Sequence, residues 1–349
     1  MVTHHQIIIV GAGPGGLAVA VALRDQGLTD ALILDKGEVG QSWLEFPAET
    51  HLLSQSTLES DDNMVANIPT SEVFPNMPHP SHDMYQKYLA YVAQQKKLNI
   101  KTNTTVENVY YDPHQKVFVL VCPEDCYFTC QFLVWAAGMF STPNESLDAE
   151  GCYIHYSRMP YLEDITSPEV MVIGSANGAN GVVLELAKPG RVVTLVTPHN
   201  YAVPQPVDTL WKEQMQFVAD SAKQGLVKIV ENFRVKRIYM ENAAEQKGGE
   251  EGPYIVESEN GQKITAAKKP IVCTGFLPNI KPIAHLVDEV CTDHETFLAL
   301  DPQHQSQKQP NLYLAGAIGK LSNDQGMIAQ FREFGGIIAG NIKEKISKI

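Results

Sequence analysis

Apolar and polar positions along the chain fall into one pattern that occurs twice: a short aliphatic run, a glycine-rich turn, an amphipathic stretch at helical spacing, and a second aliphatic run. The first copy spans Gln6 to Asp35, with the strand Ile7 to Val10, the turn Gly11-Ala12-Gly13-Pro14-Gly15-Gly16, a helix ending near Gly27, and a strand from Ala31 to Asp35. The second spans Val170 to Val196, with the strand Val170 to Ile173, the turn Gly174 to Ala179, a helix to Lys188, a stop at Pro189-Gly190, and a strand from Arg191 to Val196. Aliphatic runs without alternation suit strands buried on both faces, and a strand, helix and strand in that order make a βαβ unit. The doubling predicts an α/β fold with two Rossmann-like three-layer domains.

Between the copies the pattern changes character. The stretch Leu53 to Ser81 is polar, carries Pro69, Pro75, Pro78 and Pro80, and reads as a long loop of the kind that lines sites. Ser81 suits an N-cap, and Met84, Tyr88, Tyr91 and Val92 recur at helical spacing through Gln95. Val106 to Tyr111, Val117 to Cys122 and Tyr127 to Val134 read as short strands around the turn Pro123-Glu124-Asp125, an antiparallel flap on the main sheet. A hairpin is expected over Tyr254 to Ile264 with Asn260-Gly261 at its turn, and Glu241 to Gly252 reads as a mobile loop tip.

Composition narrows the function classes. The 349 residues suffice for two domains, each with its own core. A formal net charge of -13 argues against nucleic acid, whose binding rests on Lys and Arg neutralising phosphates. The apolar runs fall far short of the roughly 20 residues that cross a bilayer, so no membrane partner is expected. Met1 to Gln6 is polar and runs straight into a strand, without the signature of a secretory signal, which makes cytoplasmic residence the expectation. The cysteines are Cys122, Cys126, Cys130, Cys152, Cys273 and Cys291, none in a CxxC pair; buried thiols are the expectation, and no metal site is anticipated.

The glycine turns carry the chemistry. Gly11, Gly13 and Gly16 stand in GxGxxG spacing after a strand and at the opening of a helix: the first allows the tight turn, the second a close pyrophosphate, the third close packing of helix on strand. The helix N-terminus faces the anion, and Asp35 at the end of the second strand would accept hydrogen bonds from an adenosine ribose. In the second copy Ala176 takes the place of the middle glycine and would crowd a pyrophosphate. Its second strand leads into Thr197-Pro198-His199-Asn200, with neither an acid for a free 2'-hydroxyl nor an Arg for a 2'-phosphate, so NADH and NADPH both stay open.

Several further motifs add to the turns: Gly40-Gln41-Ser42-Trp43, Ala136-Ala137-Gly138 with Pro143 following, Cys273-Thr274-Gly275-Phe276 with Pro278-Asn279, and Leu312-Tyr313-Leu314-Ala315-Gly316. With them the chain resembles, along nearly its whole length, the two-dinucleotide-binding-domain flavoproteins. Within these it is most similar to the flavin-containing monooxygenase-like and the bacillithiol-disulfide-reductase-like groups, the latter akin to thioredoxin reductase. The resemblance implies an FAD domain at residues 1–160 and 283–349, with an NAD(P)H domain inserted at 161–282. It implies FAD contacts from Gly11, Gly13, Pro14, Gly15, Gly16, Asp35, Lys36, Gln41, Ser42, Trp43, Ala137 and Gly138. Val106 would lie on the adenine side, and Gly316 and Ala317 by the pyrophosphate and ribityl chain. Gly326 and Met327 would open a helix near the flavin pyrimidine, where its N-terminus would favour the charge of the reduced ring. The nicotinamide nucleotide would meet Gly174, Ser175, Asn177, Gly178, Ala179, Thr274 and Gly275. Ala317 departs from most relatives, which carry Asp there for the ribityl hydroxyls, so backbone amides would serve instead. Trp43 would either stack beside the flavin or fill core.

A disulfide reductase needs a thiol that attacks its substrate or relays electrons, and no suitable dithiol is present. Gly15 stands where the bacillithiol-reductase-like group has its cysteine, and Cys122 and Cys126 flank a turn in the flap. The segment Gly151 to Ser157 resembles the FxGxxxHS fingerprint of monooxygenases at Gly151, His155 and, one position late, Ser157, with Ala149 in place of Phe. His155 would act there or pin the linker by a hydrogen bond. Asn323 and Gln325 would either hydrogen-bond the reacting oxygen or cap their loop. Three readings follow: a flavin monooxygenase oxygenating a small molecule, a flavin-dependent reductase of a disulfide or other electron acceptor without an internal CxxC, and a non-catalytic nucleotide-sensing protein. The partners expected are a small-molecule substrate and, for the first reading, dioxygen; a homodimer is left open.

Overall fold

The computed structural model describes residues 2–47, 50–57, 59–149, 151–159, 161–240, 253–291, 296–322 and 325–348. The chain forms two compact units, one made of Met1–Leu44, Gln55–Thr142 and Pro278–Ile349, the other of Glu45–Ser54 and Pro143–Leu277. The expected loop tip Glu241 to Gly252 lies outside the described residues.

The first unit begins with β1 (Val2–Val10), α1 (Pro14–Asp25), β2 (Ala31–Leu34), the single turn α2 (Gln41–Leu44), α3 (His82–Gln95), β3 (Asn99–Lys101), β4 (Asn108–Asp112), β5 (Val117–Cys122) and β6 (Cys126–Trp135). These strands make one sheet in the order β3-β2-β1-β6-β5-β4, parallel from β3 to β6 and antiparallel across β5 and β4. β1 starts at Val2 rather than at Ile7, because Val2 to His5 pair with Tyr127 to Cys130 on the long β6. Those residues are largely exposed, so apolar periodicity, which reports burial, gives no sign of them. The strand expected from Val106 begins at Asn108, and Val106 itself is buried in the core.

The helix expected after Ser81 is present, but its buried face is Tyr85, Tyr88, Leu89, Val92 and Ala93; Met84 is only partly covered, and the Tyr91 hydroxyl donates to Glu72. Tyr85 and Tyr88 face inward because their hydroxyls satisfy the backbone of the long loop. Tyr85 donates to the Asn63 carbonyl at 2.8 Å; Tyr88 donates to that of Ile68 at 2.8 Å and accepts the Val65 N–H at 3.0 Å. Asp61 binds the amide and hydroxyl of Thr70 at 2.7 and 2.9 Å. A long loop keeps its buried backbone groups paired in this way with little regular structure of its own.

The second unit holds β7 (Ile154–His155), β8 (Glu169–Ile173), α4 (Asn177–Leu186), β9 (Val192–Val196), α5 (Leu210–Lys223), β10 (Val227–Val230), β11 (Val235–Met240), β12 (Tyr254–Ser258), β13 (Lys263–Ala266) and β14 (Ile271–Val272). A parallel sheet runs β10-β9-β8-β14-β7, and an antiparallel one β11-β12-β13 contains the expected hairpin. Alternation along β8 splits the core: Val170 and Val172 pack with Val182, Val183 and Val218 of the helices, while Met171 and Ile173 pack with Ile238, Tyr254 and Val256 of the antiparallel sheet. The unit is therefore three layers, helices, parallel sheet and antiparallel sheet. At the two ends of the unit's longer segment, Pro143 and Phe276 pair as an antiparallel bridge.

The return to the first unit adds β15 (Glu289–Cys291), β16 (Thr296–Leu298), β17 (Leu312–Leu314) and α6 (Ile328–Ile346). β17 pairs in parallel with Leu133 to Trp135 of β6, completing a seven-stranded sheet. α6 packs on α1, and at Gly335 an added Cβ would lie 2.8 Å from the Ala18 carbonyl carbon and oxygen. No helix among the described residues is long and apolar enough to cross a membrane. Gly335→Ala must push two helix backbones apart, and thermal unfolding should show a loss of about 1 to 3 kcal/mol; an unchanged Tm would mean that the crossing is loose.

Candidate functional site

In the first unit the turn after β1 is built on bare backbone. Gly11 donates to the Leu34 carbonyl at 2.8 Å, has φ of +109°, and would drive a Cβ to 2.3 Å from the Ala136 carbonyl oxygen. A Cβ on Gly16 would stand 1.9 Å from the Gly11 carbonyl oxygen, which is the close helix-to-strand approach that this glycine permits. Gly13 differs from both: nothing lies within 4 Å of the place its Cβ would take. α1 has no side-chain cap, Pro14 at its first turn, and no acidic residue there, so its leading N–H groups and dipole are uncompensated. Open space in front of free donors is what a dinucleotide pyrophosphate needs, and these residues fit FAD.

Asp35 serves the same turn. Its Oδ2 accepts the Ala12 N–H at 2.6 Å and its Oδ1 the Gly37 N–H at 2.8 Å, so the carboxylate ties the glycine turn to the loop after β2. Carboxylate oxygens accept more than one hydrogen bond each, which leaves room for ribose hydroxyls. In that loop Lys36 is exposed, and Gln41 accepts the Glu38 N–H at 3.2 Å. Ser42 is half-buried, and Trp43 meets Tyr85 edge to face at 4.6 Å between ring centres. Ala137 packs on the core, and the Gly138 carbonyl accepts the Asn279 N–H at 3.0 Å.

Gly15 is hemmed in from the other side. An added Cβ would stand 2.4 Å from the Gly316 Cα and 2.6 Å from its nitrogen, both backbone. Gly316 opens the tight turn Gly316–Gly319, which contains Ala317 and follows β17. The turn is held by His304, which sequence reasoning missed: its Nδ1 donates to the Gly319 carbonyl at 2.8 Å and its ring packs on Phe334 at 4.4 Å. Only tertiary packing marks it. Further on, Gly326 and Met327 donate their N–H groups to the Gln330 side chain at 2.9 and 3.1 Å, so α6 caps its own leading donors. Gln325 accepts the Leu321 N–H at 2.8 Å, the loop-capping alternative, and Asn323 lies outside the described residues.

The second unit repeats the construction. Gly174 has φ of +137° and would place a Cβ 2.7 Å from the Cys273 carbonyl oxygen, as Gly11 does against Ala136. Ala176 holds φ -86° and ψ -176°, against -81° and -178° at Gly13, so alanine keeps the backbone of the turn unchanged. Ser175 and Asn177 lie in the turn and at the start of α4, Ala179 is fully buried, and α4 again has neither a side-chain cap nor an acid in its first turn. Gly178 faces Tyr156, whose ring carbon would be 3.1 Å from an added Cβ. Asn180 braces the turn: it donates to the carbonyls of Ser175 and Ala176 at 3.3 and 3.2 Å and accepts the Tyr201 hydroxyl at 2.5 Å.

His155 is fully buried and structural in its contacts. Nε2 donates to the Gly275 carbonyl at 3.1 Å, while Nδ1 accepts the Ser157 N–H at 3.3 Å and lies 2.7 Å from its hydroxyl. The Gly275 carbonyl also takes the Asn144 N–H at 2.9 Å, and the Thr274 hydroxyl donates to the Asn144 carbonyl at 2.6 Å. Tyr156 and Phe276 pack around the imidazole. Three of the cysteines are held as thiols. Burial pushes the Cys122 thiol up to about 11 and those of Cys130 and Cys273 higher, and all three are buried. Cys122 and Cys126 stand opposite each other in the β5 to β6 hairpin as free thiols.

Two βαβ units, each with a glycine turn opening onto an uncapped helix N-terminus, define a protein with two dinucleotide-binding folds. The chain belongs to the pyridine nucleotide-disulphide oxidoreductase family, whose model matches residues 8–316. As that membership implies, it is an oxidoreductase whose cofactors are FAD and NAD(P)H. Among curated proteins it is 27% identical over 208 residues to a Baeyer-Villiger monooxygenase of Penicillium patulum, covering 52% of this chain and 32% of that one. The chain spans about a third to a half of the length of the first such relatives it matches. Among solved structures, a bacillithiol disulfide reductase from Staphylococcus aureus aligns with a TM-score of 0.80 at 20% identity, covering 98% of this chain and 99% of the other. A flavin-containing monooxygenase from Stenotrophomonas maltophilia aligns with 0.75 at 17%, covering 99% of each. These likenesses show the fold.

Burial holds the pKa of both His155 and His304 below the ordinary 6.5. The unfolded chain then binds more protons than the folded one below about 6.5, so this contribution to stability is complete above that pH and is lost as pH falls through the folded values. Melting temperature should drop between pH 7.5 and about 5, and His304→Asn should flatten the slope; a flat wild-type profile would mean that neither imidazole is held neutral by the fold.

Proposed function

We propose that the protein is a flavin monooxygenase: the first unit holds FAD, the second NAD(P)H, and dioxygen is used to oxygenate a small-molecule substrate. The observation that carries this reading is the packing of Gly15 on Gly316, which leaves no room for any side chain where the bacillithiol-reductase-like group has its cysteine. A thiol relay needs a thiolate beside the flavin. The buried cysteines, with their raised pKa values, do not offer one. With no side chain at Gly15 to relay electrons, dioxygen is an acceptor small enough to need no such group.

The chemistry that FAD supplies when bound is acceptance of hydride from NAD(P)H and delivery of two electrons to dioxygen, one atom entering the substrate and the other leaving as water. The residues of the chain bind and orient. Gly13 and the leading amides of α1 would hold the diphosphate, and Asp35 both the glycine turn and a ribose. Gly316 and Ala317 would offer backbone to the ribityl chain. Trp43 and Tyr85 would wall the ring side and exclude water. In the second unit Gly174, Ser175, Asn177 and Gly178 would receive the nicotinamide nucleotide, and His155 acts as a positioning residue through Gly275.

Purified protein reconstituted with FAD should consume oxygen on addition of NADH or NADPH, release hydrogen peroxide without substrate, and leave added low-molecular-weight disulfides unreduced. Stoichiometric disulfide reduction without oxygen uptake would overturn the proposal in favour of a reductase. Failure to take up FAD at all would favour a nucleotide sensor. Gly13→Ala should keep the melting temperature of the apoprotein and weaken FAD binding by about tenfold or more, because the methyl enters the anion's space and no protein atom's. Gly15→Cys should lower stability without conferring disulfide reductase activity, as measured by unfolding and by reduction of an added disulfide.

A further inference from the structure

The second unit ends its β9 without the carboxylate that would recognise a nucleotide's 2'-hydroxyl, and the fold supplies one from the neighbouring strand. β9 and β10 run in parallel with Val196 opposite Val230, so Thr197 and Glu231 leave the sheet side by side. The two exits are stitched together: Thr197 donates its N–H to the Val230 carbonyl and Phe233 its N–H to the Thr197 carbonyl, both at 2.9 Å. The Gly174 N–H donates to the Val196 carbonyl at 3.0 Å, which sets the glycine turn beside the same strand end. In open α/β sheets the adenosine ribose is read at the end of the strand that follows the glycine helix.

Two side chains of the turn are already engaged within the loops. The Thr197 hydroxyl donates to the His199 carbonyl at 3.0 Å and accepts the His199 N–H at 3.3 Å, while Asn200 accepts from the Asn232 amide at 2.7 Å. Glu231 is exposed, and its Oε1 accepts the Tyr201 N–H at 2.7 Å, which fixes the carboxylate over the turn. No Lys or Arg occurs in residues 197–203 or 231–233, and the next cation along the chain, Arg234, pairs with Glu259 at 3.8 Å.

We propose that Glu231 is the ribose-reading group of this site and makes the protein select NADH over NADPH. The carboxylate accepts from a free 2'-hydroxyl and repels a 2'-phosphate, for whose two negative charges residues 197–203 and 231–233 supply no Lys or Arg. The proposal rests on the reading of the second unit as the NAD(P)H site, and it names which of the two nucleotides that site takes.

The test uses redox-inert probes, so that it needs no turnover: ADP-ribose and its 2'-phosphate, titrated calorimetrically into the FAD-loaded protein. ADP-ribose should bind at least about tenfold more tightly, with the gap narrowing as salt rises. Glu231→Gln keeps an acceptor for the Tyr201 N–H and removes the charge, and should bring the two affinities within about threefold of each other; Glu231→Lys should reverse their order. Equal or tighter binding of the 2'-phosphate by the wild type, or an unchanged ratio in Glu231→Gln, overturns the preference while leaving the site intact. Binding of neither probe overturns the reading of the second unit, and the preference with it.

Discussion

The structure depends on one constraint: at the junction of strand and helix, backbone must run against backbone with no side chain between. Gly11 lies against the Ala136 carbonyl, Gly16 against that of Gly11, Gly15 against Gly316, and Gly174 against the Cys273 carbonyl. Each contact closes a gap that a single methyl group would hold open. The one position of the first turn left empty, Gly13, is thereby set in front of unpaired amide donors. Crowding on every side but one makes that face an anion site, and the sheet that delivers Ala136 and Gly316 is as much part of it as the glycines are.

The sequence made the βαβ units legible, because aliphatic runs report burial on both faces and glycine spacing reports the turn. It made less of elements stabilised by pairing. The first four residues of β1, Val2 to His5, owe their conformation to β6, more than a hundred residues away, and carry no apolar periodicity. The buried stripe of α3 was offset because Tyr85 and Tyr91 are the same residue type; only the loop that one of them hydrogen-bonds decides which turns inward.

The candidate site divides along similar lines. Asp35 and the glycines were visible as a motif, whereas His304, Asn180 and Tyr201, which hold the turns from behind, sit in no pattern. Ala176 was expected to crowd a pyrophosphate; the backbone there matches that of Gly13 within a few degrees, since extended φ is open to any residue, so the methyl group alone sets the two turns apart. Residue identity along a motif states what a ligand will meet, and the local backbone has its own tolerance.

The pairing of Pro143 with Phe276 bears on how such a chain comes to exist. Because the entrance and exit of the intervening segment are neighbours in one bridge, the remainder of the chain experiences the whole insertion as a short closed connection. The entropy of loop closure rises only logarithmically with contour length, and ends already clasped together remove most of it. The segment between them can therefore be long at little further cost in closure entropy.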